Sequence, residues 1–187
     1  MNDPKRRKPR PPLDAERLER LALRYVERFA TTRAKLKTYL LRKVRERGWQ
    51  GADEPAIEAI ADRFTHLGYV DDASFAMGKS RSLSARGYGP RRVGETLRAA
   101  GVGEQDAEAA RRLADQQAAD SALRFARRRR LGPFAAELPD PKGRERALAA
   151  LVRAGHSFAL ARAIVELEPG SATDVSDLAD KAGLASE

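Results

Sequence analysis

The chain has no cysteine and only two histidines, His66 and His156. The first absence excludes a disulfide framework and thiolate metal sites, and two histidines so far apart in sequence cannot supply a zinc site. Each is expected at a helix end or in packing. No stretch approaches eighteen consecutive apolar residues, which excludes a helix of membrane-spanning type. The N-terminal sequence MNDPKRRKPRPPL is basic but is not followed by the apolar segment of a secretion signal, so the protein is expected in the cytoplasm. Aromatic residues make up only 6% of the chain, and any core must therefore be mostly Leu, Ala and Val. Ser80, Ser82 and Ser84 have no histidine at a suggestive position, and the GYG at 87–89 lacks the lysine and Ser/Thr of a phosphate loop. An enzyme is not expected, nor a metal, cofactor or small-molecule substrate.

Alternating apolar patterns are missing as well, whereas apolar residues recur at spacings of three and four throughout. The fold class expected is all-α. In the first amphipathic stretch Leu18, Leu21, Tyr25 and Phe29 fall on one stripe, and Arg17, Arg20, Arg24 and Arg28 on the neighbouring one. One face packs and the next is basic.

Three strings, VRERGW, LRAAGV and LVRAGH, share a spacing in which a glycine follows the last helical turn and an apolar or aromatic residue, or His, comes next. Gly48, Gly101 and Gly155 lie at nearly equal intervals, and each fits the residue that ends a helix in a positive-φ conformation. Before each lies a helix with a start signal, at Thr32, at Gly89-Pro90 and at Asp140-Pro141. After each lies a further amphipathic segment. With a leading helix added to each unit, the pattern predicts an elongated tandem array of three three-helix repeats. The divisions expected are a disordered basic leader at 1–12, repeats at 13–70, 71–116 and 117–168, and a flexible tail at 169–187.

The net charge is +9, of which residues 1–12 contribute five bases against one acid and residues 13–70 twelve against nine. Such an excess favours a polyanionic partner, because each Lys or Arg brought to a phosphate releases condensed counterions. The helix starts sharpen this expectation. Arg33 and Lys35 follow Thr32, Arg91 and Arg92 follow Gly89-Pro90, and Lys142 and Arg144 follow Asp140-Pro141, all in first turns where the helix dipole disfavours cations. A shared anionic partner would explain all three. Replacing Arg91 and Arg92 with Glu is then expected to leave stability unchanged or slightly raised. With Arg24 and Arg28 from the first basic stripe, and Arg86 and Tyr88 from the GYG turn, these residues form the candidate binding set. Tyr88 also fits a packing role beside the helix start.

GYVDDASFA (68–76), RGYGPRRV (86–93) and LRAAGV (97–102), in that order, resemble the central repeat of the RecX regulatory proteins. The resemblance covers about residues 15–115. It implies a non-enzymatic cytoplasmic modulator of the RecA recombinase, expected to inhibit, which lies along the RecA filament on single-stranded DNA and regulates DNA repair, recombination and the SOS response. Single-stranded and double-stranded DNA are the nucleic-acid partners implied, with no membrane. Tyr69, Asp71, Asp72 and Phe75 carry over as structural positions, and Arg86, Tyr88, Arg91 and Arg92 as binding candidates. An autonomous helical-repeat DNA-binding protein with no recombinase partner would share the same composition and charge.

Overall fold

The computed structural model describes residues 11–172, 174–181 and 183, so the basic leader expected at 1–12 lies outside the described residues except for Pro11 and Pro12. Among the described residues every regular element is helical, and the one extended pairing is an isolated parallel bridge between Leu13 and Trp49. The chain divides into two compact units, one ending at Asp72 and the other starting at Ala73.

The first unit contains α1 (Ala15–Arg28), α2 (Arg33–Arg47) and α3 (Ile57–His66). Asp14 starts α1 by accepting the Arg17 N–H at 2.8 Å, and Thr32 starts α2 by accepting the Lys35 N–H at 3.1 Å. Each cap satisfies an amide that the helix leaves without a partner. Leu18 and Ala22, Leu36 and Leu40, and Ile57, Ile60 and Phe64 are spaced by three or four, and together with Leu13 and Val70 they form the buried cluster. Burying each of the larger side chains contributes about 1.5–3 kcal/mol before conformational entropy is counted. Gly48 ends α2 at φ 80° and ψ 164°, a backbone region essentially reserved for glycine. That geometry carries Trp49 alongside Leu13, where Leu13 N–H donates to Gly48 O and Gln50 N–H to Leu13 O, both at 2.9 Å. The Trp49 indole N–H donates to Asp53 O at 2.6 Å.

From the last residue of the first unit runs α4 (Asp72–Ala85), and the second unit carries the rest of it with α5 (Pro90–Ala99), α6 (Glu104–Gln116), α7 (Ala118–Arg129), a 3-10 turn (Gly132–Phe134), α8 (Pro141–Arg153), α9 (Phe158–Val165) and α10 (Val175–Lys181). Phe75, Ala76, Leu83, Val93, Leu97, Ala107 and Ala110 belong to one cluster, and Ala122, Phe125, Leu151, Leu160 and Ile164 to another. Alanines fill much of both, which lets helix backbones approach closely. Ser80, fully buried among them, donates its hydroxyl to Ala110 O at 2.7 Å and so ties α4 to α6.

One stretch differs from the sequence expectation. The segment read as a flexible tail at 169–187 contains α10, whose Leu178 is buried in the second of these clusters. Seven residues carry too little periodicity to announce a helix, and α10 forms because Leu178 has a core to enter. Between α7 and α8 lies the 3-10 turn, in which Gly132 and Pro133 are buried.

Candidate functional site

The three cationic helix starts are not equivalent. At α5 the chain arrives through Gly87 at φ 80°, and Tyr88 packs against both clusters of the second unit. Gly89 N–H then donates to Ala154 O at 3.0 Å, Arg91 N–H to Gly155 O at 3.2 Å, and the Arg91 guanidinium to Val152 O at 2.6 Å. The carbonyls left over at the end of α8 thus satisfy the amides left over at the start of α5, and the negative end of one helix meets the positive end of the other. Backbones meet here with no room between them. A β-carbon on Gly89 would lie 2.4 Å from Gly155 O, and one on Gly155 would lie 2.5 Å from Arg92 N.

His156 closes this joint from beneath. It is 2% exposed, and because Gly87 O can only accept, the ring must carry its proton on Nε2 to make the 3.1 Å bond. Nδ1 is then a bare, buried nitrogen without a partner. Burial pushes the His156 pKa down, partly opposed by the bond to Gly87. Around the rim, Arg86 lies over the Tyr88 ring at 5.8 Å and donates Nε–H to Ser82 O, while Arg91 and Arg92 both face Glu95 at 3.7 and 3.6 Å.

At α2 the cations already have protein partners. Asp72 Oδ1 accepts the Arg33 N–H at 2.8 Å, placing a carboxylate where the dipole favours one. The Arg33 guanidinium bridges Glu58 at 2.9 Å and Asp62 at 2.6 Å on α3, and Lys37 pairs with Glu58 as well. The Asp62 and Glu58 carboxylates hold the Arg33 pKa above its usual range, and Lys37 followed by Arg33 holds that of Glu58 below its own. Lys35 is half-buried. This start clamps α2 to α3.

The α8 start is the open one. Asp140 caps it by accepting Gly143 N–H at 2.6 Å, and the Lys142 and Arg144 side chains are exposed with no ion pair among the described residues. On α1, Arg24 is exposed and lines a groove of about 270 Å³ with Arg17, Arg20, Leu21 and Arg47, while Arg28 lies over the Phe29 ring at 5.8 Å. The structure therefore brings Arg86, Tyr88, Arg91 and Arg92 together at one joint. It leaves Lys142 and Arg144 exposed and without an ion pair among the described residues, and it engages Arg33 internally. Arg47 belongs to the α1 groove although it lies on another helix. Its signal in the sequence was the four-residue step from Tyr39 through Lys43 to Arg47, which marks one side of α2.

No group of metal-ligating side chains occurs among the described residues, and none of their helices is long and apolar enough to cross a membrane. Helices repeated in threes, joined end to start and carrying basic faces, define a helical-repeat protein. Comparison places it further. The family model described as RecX, second three-helix domain, matches residues 71–110. The Regulatory protein RecX of Myxococcus xanthus is 34% identical over 164 residues, covering 81% of this chain and 86% of that protein. That of Thermobifida fusca is 34% identical over 153 residues, covering 81% and 78% respectively. A crystal structure of RecX from Lactobacillus salivarius shares the fold, with a TM-score of 0.63 at 18% identity over 81% of this chain and 94% of that one. The chain belongs to the RecX family of regulatory proteins.

Proposed function

We propose that this protein modulates the RecA recombinase, acting in the cytoplasm by binding along the RecA filament on single-stranded DNA and lowering its activity. The observation that carries this reading is the similarity to regulatory proteins of the RecX family over four-fifths of the chain. The free cations at the start of α8 and the half-exposed Arg91 and Arg92 support it, since they offer anion contacts on the unit that holds the family match. No catalytic step is assigned to the protein: its effect is exerted by occupancy.

The test uses purified RecA assembled on single-stranded DNA. The protein is expected to associate more tightly with the assembled filament than with bare DNA and to lower the DNA-dependent ATPase rate. Unchanged ATPase and no preference for the filament, at both sub-stoichiometric and equimolar ratios, would overturn the reading.

A further inference from the structure

The α1 groove adjoins a set of aromatic rings. On α1, Leu21 and Tyr25 are one helical step apart, as are Arg24 and Arg28, so the groove's edge runs directly into the rings. Tyr25 stacks on Tyr39 of α2 with centroids 4.2 Å apart and planes within 10°, and Phe29 follows at 5.5 Å from Tyr25. Phe29, the extended residue that caps the end of α1, is 53% exposed. Cations flank two of the three rings: Arg42 and Lys43 lie over Tyr39, each at 5.7 Å, and Arg28 over Phe29. Lys43 is one helical step from Arg47, which closes the other end of the groove. The result is a strip along the α1–α2 boundary with arginines at one end and rings bordered by cations at the other.

The acids near the strip leave it positive. Asp14 and Glu16 pair with Arg17 and Arg20 at 3.3 and 2.7 Å, and Glu46 with Arg42 and Lys43, all on partly or largely exposed side chains. Exposed pairs of this kind contribute little and yield readily to a phosphate. Arg24 has no such pair among the described residues.

We infer that this strip is a binding track for single-stranded nucleic acid, with phosphates on Arg20 and Arg24, an unstacked base on the exposed face of Phe29, and added positive charge from Arg17 and Arg47, whose guanidiniums hold Pro12 O and Pro11 O. Duplex DNA fits the arginines but not the ring, because its bases are already stacked on one another. A track of cations and rings is sequence-tolerant, since every base has a π-face. The inference rests on no part of the filament reading.

Its test needs no recombinase. Binding of the full chain to a fluorescent 30-nucleotide oligo(dT) and to a duplex of equal length is followed by anisotropy across a salt series. Arg20→Gln with Arg24→Gln is expected to weaken oligo(dT) binding about tenfold or more, and to reduce the magnitude of the log–log salt slope by about 1.4, the loss of two single-strand phosphate contacts. Phe29→Ala is expected to weaken oligo(dT) about fivefold or more and to leave the duplex unchanged. Circular dichroism melts confirm folding, and Arg24→Gln alone, on an unpaired exposed side chain, serves if the double variant is unstable. Unchanged affinity in the arginine variants would place binding elsewhere and overturn the proposal. Equal loss on duplex and single strand in Phe29→Ala would overturn the stacking mode, leaving only a polyanion patch. Neither failure touches the ATPase result expected on the filament.

Discussion

Gly89 has an ordinary φ of −84°, so glycine is not there for its backbone freedom. Its role is proximity, because Gly155 O occupies the space a β-carbon would need. Gly68 is the reverse case, with φ 74° and open space around it. Gly89→Ala is therefore expected to destabilise by about 2–4 kcal/mol and Gly68→Ala by only about 1–2 kcal/mol. Thermal melts separate the two, at roughly 2–4 °C per kcal/mol for a chain of this size. His156 makes a second prediction at this scale. Its depressed folded pKa means the folded state holds fewer protons than the unfolded chain, so its contribution is complete above the unfolded value near 6.5 and is lost as pH falls below it. Unfolding free energies from urea titrations should drop between pH 7 and pH 5, by no more than about 1.4 kcal/mol per pH unit from this residue. In His156→Gln that dependence is expected to flatten, while stability at pH 7 is lower than that of the parent.

Helix ends were legible where the chemistry is local. Gly48, Gly101 and Gly155 all adopt positive φ as their spacing suggested, because terminating a helix depends on the residue itself and the few before it. What meets the start of α5 was not legible. Its partner carbonyls lie about sixty residues later in the chain, and nothing in PRRV distinguishes an amide reserved for Gly155 from one open to an anion. The same limit explains Arg33, whose three acidic partners, Glu58, Asp62 and Asp72, all come from beyond α2. The expectation that Arg91 and Arg92 can be reversed without loss changes accordingly. Arg91→Glu loses its bond to Val152 O and sets a carboxylate against carbonyls, with about 0.5–1.5 kcal/mol of destabilisation expected on a half-exposed side chain, whereas Arg92→Glu is expected to be close to neutral. The helix start with open cations is that of α8. Lys142→Glu with Arg144→Glu should raise stability by a few tenths of a kcal/mol and weaken filament binding, as read by urea denaturation and filament co-sedimentation.

On the scale of the molecule, an all-helical chain was readable from periodicity and from what was missing. Repetition in the sequence is a statement about similar segments, whereas compactness depends on which segments share buried neighbours. Tyr88 touches both clusters of the second unit, and the backbone bonds between α5 and α8 hold those clusters together. A residue read first as a binding candidate is thus also a shared core contact. The basic excess was visible as a number, but its use differs from place to place: internal clamps at Arg33, a joint at Arg91, open charge at Lys142 and Arg144, and the groove beside Arg24.

Trp49 gives that groove an optical handle. It is the chain's single tryptophan, half-buried and two residues beyond Arg47, with its indole hydrogen-bonded to the Asp53 carbonyl. Intrinsic emission excited selectively at tryptophan therefore originates entirely in the first unit, without a label. Oligo(dT) seated on the arginines should change that emission in proportion to occupancy, and Arg20→Gln with Arg24→Gln should remove the change at the same oligonucleotide concentration. The α1–α2 strip can be titrated by the light of the residue next to it.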